Sequence, residues 1–144
     1  MNIFNYIFYR MYKSTSKVND LFPEIATIIF LSALFFLNIA TILLFFGISV
    51  ENVGLNGIYL IITIILGFNL YYFLKNDKYK MIIDKYDSLK NKKIVDILIF
   101  AYPFMSFFLC FKLLKMSNNQ IAITLTGLLL VEVYSYYNPK NKQK

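Results

Sequence analysis

Histidine is absent from the 144 residues, and cysteine occurs once, at Cys110. One thiol closes no internal disulfide, and without histidine or a cysteine cluster the usual zinc ligand sets cannot be assembled. Paired-cysteine redox chemistry is excluded on the same ground, including that of four-helix membrane oxidoreductases. Charge is scarce as well. Asp, Glu, Lys and Arg make up 16% of the chain, against ~25% in an average soluble domain. The sequence also lacks a zincin motif, a Gly-x-Ser-x-Gly elbow and a phosphate-cradling glycine loop. No catalytic residue, cofactor site or metal site is predicted, and the chain reads as non-enzymatic.

What is present is apolar: 58% hydrophobic and 19% aromatic residues, with a mean hydropathy of +0.57. The excess falls in blocks about as long as a bilayer is thick, with the charges between them. The first block, Ile25 to Val50, carries no charge and is ~39 Å long as a helix. That exceeds the ~30 Å hydrocarbon core and the ~7–15 residues of a signal-peptide core, so a retained span is expected. Pro23 and Glu24 suit its first turn, and Gly54, Asn56 and Gly57 mark a turn after it. The second block, Ile58 to Leu74, closes on Tyr71, Tyr72 and Phe73, an interfacial aromatic belt. The third, Ile94 to Phe111, has Asp96 at its start and Pro103 at its middle. The fourth has an apolar run of only ~11 residues, Ile121 to Val131, short for a span. It reaches spanning length when Glu132 and the tyrosines up to Tyr137 are included.

The lysines arbitrate. Cytoplasmic loops retain Lys and Arg, and four spans with an inner N-terminus put thirteen basic residues inside and only Lys112 and Lys115 outside. Three spans reduce the division to ten against five. The sequence therefore predicts an all-α integral membrane protein, one domain over 1–144, built as a four-transmembrane-helix bundle. The expected spans are about 25–49, 57–74, 94–112 and 120–137, with a basic cytoplasmic loop at 75–93 and a basic tail at 138–144. The expected setting is a bacterial inner membrane, with both termini cytoplasmic. The net charge of +7 is then a topology signal, and a nucleic-acid partner is not required.

Residues 2–14 predict an interfacial amphipathic helix. Phe4, Ile7, Phe8 and Met11 recur at helical spacing, while Asn2, Asn5, Arg10 and Lys13 avoid that stripe. Ile82, Ile83, Tyr86 and Leu89 make a similar stripe after the second span. Around it, Lys78, Lys80, Lys85, Lys90, Lys92 and Lys93 face the inner surface, either as ordinary topology charges partly offset by Asp77, Asp84 and Asp87, or as a binding surface for anionic lipid, at ~1 kcal/mol each.

Within the first span Ala26, Ala33, Ala40 and Gly47 recur every seven residues, a strip of small side chains suited to helix packing in lipid. Ile28, Phe35, Ile39, Ile42 and Phe46 share the opposite side, which reads as lipid-facing. Asn38, near mid-membrane, requires a polar partner and reads as an interhelical hydrogen bond or a pathway residue. Pro103 removes the hydrogen bond to the Ile99 carbonyl and predicts a kink. Asp96 is expected beside Lys92 and Lys93 in a helix's first turn. Glu132 has two placements open: a costly intramembrane carboxylate, by default functional, or an interfacial one among Tyr134, Tyr136 and Tyr137. Small four-helix multidrug transporters are similar in size and span count. Their embedded glutamate lies in the first span, which here has no acid, so the likeness stops at architecture.

Three functions fit this reading. The first is interaction through helices with itself or with a partner complex, such as a toxin to be neutralised. The second is a holin-like effector that oligomerises and depolarises the membrane. The third is a minimal transporter using Glu132.

Overall fold

In hydrocarbon, backbone amides have no hydrogen-bond partner except within the chain, so long uncharged runs must become helices. The computed structural model describes residues 2–19, 21–88 and 93–137, and these contain helices and turns with no strand among them.

Helix α1 (Ile3–Thr15) starts at Asn2, whose side-chain oxygen accepts from the amides of Phe4 and Asn5. Helix α2 (Pro23–Phe45) opens on Pro23 with Glu24 in the first turn, as expected. It stops at Phe45, short of 49. Gly47 is why: at φ +76 it takes the left-handed turn, and Ile48 and Gly47 donate to the carbonyls of Leu43 and Leu44. This is the Schellman arrangement, which satisfies the last carbonyls of a helix. Gly47 therefore ends the helix and does not pack along it, a correction to the small-residue strip.

The turn expected at Gly54–Gly57 sits earlier as well. Helix α3 (Val50–Leu74) begins directly after Ser49, which exchanges capping-box bonds with Asn52. Gly54 is a break inside it, with φ 68 and ψ 163. A single 3-10 turn (Lys75–Asp77) leads into α4 (Lys78–Asp87), so the basic loop is largely helical. Helix α5 (Lys93–Leu113) continues across Pro103 as one helix. Lys115, at φ 57, closes it with the same pair of bonds seen at Gly47. Helix α6 (Asn118–Tyr137) returns against α5. Of these, α2, α3 and α5 are long and apolar enough to cross a membrane.

α2 is the centre of the bundle, in contact with α1, α3 and α5. Its buried residues are Thr27, Ile28, Leu31, Ser32 and Leu34. This corrects the reading of its faces. Ile28 has no exposed surface and Phe35 packs on the core, although both were assigned to lipid. Ala33 is exposed, while Ala26 and Ala40 are half-buried. Thr27, Ser32 and Thr41 donate to the carbonyls four residues back, so their hydroxyls enter the apolar layer already satisfied.

The core is concentrated at one end of the bundle. Tyr6, Phe8, Tyr9 and Met11 of α1 meet Ile28, Leu31 and Leu34 of α2, Phe73 of α3, Ile82 and Tyr86 of α4, and Ile99 of α5. Phe8 stacks on Phe73 with ring centroids 4.1 Å apart. Phe4 lies against Phe35, Tyr72 and Phe73. Burying a phenylalanine of this kind contributes ~1.5–3 kcal/mol. The apolar face of α1 is thus covered by protein, where lipid was expected to cover it.

Candidate functional site

The densest polar chemistry among the described residues is where α1 docks. On a helix, residues four apart lie one above the other, so Tyr6 stands with Arg10 and Tyr9 with Lys13. Each pair grips one aspartate. Tyr6 donates its hydroxyl to Asp96 at 2.5 Å, and Arg10 Nε lies 3.3 Å from the same carboxylate oxygen. Tyr9 donates to Asp87 at 2.8 Å, with Lys13 Nζ 2.5 Å away. Asp87 ends α4 and Asp96 lies in the first turn of α5, so α1 holds both sides of the connection between them. Two further tyrosines complete the grip: Tyr86 donates to the Asn2 carbonyl at 3.1 Å and Tyr72 to the Asn5 side chain at 3.0 Å.

The electrostatics follow from burial and from these partners. Burial, and then the hydrogen bond to Asp96, pushes the Tyr6 phenol up to about 12. Tyr9 is raised by burial and by its bond to Asp87. Lys13, followed by the Tyr9 hydroxyl, holds the Asp87 carboxyl below its ordinary value, and Asp87 in return raises Lys13. Asp96 lies in the first turn of α5 as expected, and its partners among the described residues are Arg10 and Tyr6; Lys92 and the side chain of Lys93, expected beside it, lie outside the described residues.

Inside the bundle, polar side chains occur as isolated pairs. Asn38 donates to the hydroxyl of Tyr102 on α5. Asn69, fully buried on α3, donates to Ser32 Oγ at 2.8 Å, and Ser32 donates onward to the Ile28 carbonyl. The Asn69 side-chain oxygen is buried without a partner. These pairs join α2 to α5 and α2 to α3, as interhelical hydrogen bonds do in lipid. An apolar cavity of about 210 Å³ separates the same helices further along, bordered by Leu37, Leu43, Val53, Ile61 and Cys110, with Ser49 at its edge. Cys110 is buried there with a free thiol.

Lys78, Lys80 and Lys85 lie on α4. Lys80 pairs with Asp77, which raises its pKa. Lys90, Lys92 and the tail 138–144 lie outside the described residues, as do the side chains of Lys93 and Glu132. Glu132 belongs to α6. The docking aspartates and the Ser32–Asn69 pair are functional candidates that sequence reasoning missed. The twice-repeated Tyr-x-x-x-basic spacing in α1 was the available signal for the first; nothing local marked the second. No family model, curated protein or solved structure matches this chain significantly.

Proposed function

We propose that the chain is a non-enzymatic, four-span protein of a bacterial inner membrane, with both termini in the cytoplasm, which works by associating with further copies of itself through its helices. The division of thirteen basic residues against two supports the topology. The length of α6, 20 residues or ~30 Å of helix, is sufficient for a fourth crossing.

One observation carries the association. Gly67 on α3 and Gly127 on α6 face outward, with open space where a side chain would stand. Thr63, one turn before Gly67, is exposed too, as is Ala33 on α2. Inside the bundle, contacts are made by large side chains, chiefly Leu, Ile, Phe and Tyr. In lipid, small residues are where helix backbones come close, and here they are left unused by the single chain.

The open space makes the test clean. Gly67→Leu and Gly127→Leu place their Cβ in open space in the isolated bundle, so they should leave its folding intact and abolish association. Molar mass by light scattering in mild detergent reads this directly. A wild-type protein that is already monomeric at every concentration, and crosslinks to no copy in its own membrane, ends the proposal. Induced expression with a potential-sensitive dye separates the competing function: rapid depolarisation would assign the assembly to membrane breach instead of interaction.

A further inference from the structure

The turn between α3 and α4 holds a half-open pocket of about 260 Å³, lined by Tyr71, Tyr72, Lys75, Asn76, Lys78 and Met81. We propose that this pocket binds the phosphate of an anionic phospholipid. The proposal rests on the reading that places this turn at the inner face, and it adds a defined site to the general attraction of lysines for that surface.

Three features make the pocket a built one. First, its two ammonium groups are available. Lys75 donates to the Tyr71 hydroxyl, and an ammonium carries three donors, so two remain. Lys78 sits over the face of Tyr72, 3.3 Å from the ring centroid, a contact that uses none. Neither has a carboxylate partner among the described residues, because the nearby Asp77 is engaged by Lys80 at 3.3 Å.

Second, the walls are fixed. The Tyr72 hydroxyl is tied to Asn5, and its ring stacks on Phe68 and meets Phe4 and Phe73 edge-on. Lys78 is therefore supported on a ring that α1 holds in place. Third, the backbone is turned unusually tightly. Asn76 and Asp77 are successive left-handed residues, φ 55 and 53, a conformation that Asn and Asp adopt singly and seldom in a row. The turn brings Lys75 and Lys78 to one pocket, and α4 starts at its edge without a side-chain cap.

The chemistry is that of a phosphate site, two point charges with the Tyr71 hydroxyl beside one of them. The lipid, as its source, is indicated by what lies below. Leu60, Ile64, Phe68 and Tyr71 are exposed along α3, beneath the pocket on the membrane side. An acyl chain attached to the bound phosphate has an apolar track to follow.

Native mass spectrometry of the detergent-purified full chain, titrated with phosphatidylglycerol or with phosphatidylcholine of the same acyl chains, tests this. Wild type should bind phosphatidylglycerol at least about tenfold more tightly, since each engaged lysine contributes several-fold. Lys75→Gln with Lys78→Gln should lower that affinity about thirtyfold, on the same several-fold contribution per lysine. Lys75→Arg with Lys78→Arg should keep it. Lys140→Gln with Lys142→Gln, which removes the same two charges from the tail, should change it by less than about twofold. Equal binding of the two lipids by wild type would overturn the proposal without reference to any variant. So would an equal loss in the variant with Lys140→Gln and Lys142→Gln, which means diffuse charge, or displacement by excess inorganic phosphate, which means a soluble ligand. The measurement has no sides, so labelling of an added cysteine near Asp87 in whole cells reports separately whether the turn is cytoplasmic. Association of copies is a separate readout again.

Discussion

Replacing Asp96 by alanine removes the acceptor shared by Tyr6 and Arg10, and the cost follows from what each is left with. Tyr6 is 4% exposed and the Asp96 side chain only 14% exposed, so the hydroxyl is stranded where water does not reach. A stranded buried donor costs ~1–3 kcal/mol. Arg10, with 32% of its side chain exposed, turns to solvent at little cost. Asp87→Ala is chemically the same change, a carboxylate taken from a tyrosine and a basic residue, at a wetter place. Its side chain is 45% exposed and that of Lys13 is 49% exposed, which puts the ion pair at ~0–1 kcal/mol. Tyr9 is as buried as Tyr6, but water reaches the place that this half-exposed carboxylate leaves and can accept from the Tyr9 hydroxyl. Asp96→Ala should thus loosen α1 more than Asp87→Ala by roughly 2 kcal/mol, or about thirtyfold in opening equilibrium. Hydrogen exchange by mass spectrometry on peptides from α1, in the detergent-solubilised full chain, measures that opening as a local event. Asp96→Asn, which keeps an oxygen acceptor for Tyr6, should fall between wild type and alanine. Equal acceleration by the two alanine variants would refute the argument, since burial would then decide nothing. Acceleration across α2 and α5 as well would mean that the bundle, and not the docking, had been lost.

The same assay run across pH should show a plateau with two edges. Asp87 is depressed when folded, so its contribution is full above the ordinary aspartate value of ~3.9 and fades as pH falls through the lower folded one. Tyr6 is raised to about 12, so its contribution is full below ~10 and is lost between there and about 12. α1 should therefore stay equally protected between those limits, and protection changing near neutrality would contradict the assignment. In thermal unfolding, Ser32→Ala should be the worse of two variants, by ~1 kcal/mol, because it leaves the buried Asn69 amide without an acceptor. Asn69→Leu removes an oxygen that is already unpartnered and should be neutral or stabilising. Cys110, buried beside the apolar cavity, should resist a water-soluble maleimide in the folded protein and label fully in denaturant.

How much of this was legible depended on whether a feature was local. The three long helices follow from uncharged runs, which hydrocarbon forces into helix whatever surrounds them. The end of α2 was open to reading too, since Gly47 followed by Ser49 and Asn52 spells a stop and a new start. Gly54 and Gly57 drew the turn to themselves, because a glycine-rich stretch and a glycine break within a helix look alike in sequence. The buried side of α2 was not legible. A helix apolar all round has no polar face to define the other one, and the alanine heptad does not mark the side that the chain itself buries. The amphipathic character of α1 was plain, but its pattern says only that something apolar covers it. The cover is protein, fixed by Tyr6–Asp96 and Tyr9–Asp87 pairings 90 and 78 residues apart. No window on the chain contains both members of either pair.

That separation has a consequence for biogenesis. α1 leaves the ribosome before either of its aspartates exists, and at ~5–20 residues per second it must wait ~4–18 s for them. Through that interval its aromatic stripe, Phe4, Phe8 and Met11, has no bundle to enter, and the nearest apolar phase is the bilayer surface. The helix that ends as a clasp would begin as a tether, holding the nascent chain at the membrane until α5 delivers its lock. A truncation ending before Asp96 should therefore leave α1 on the lipid, while the finished chain draws it inward.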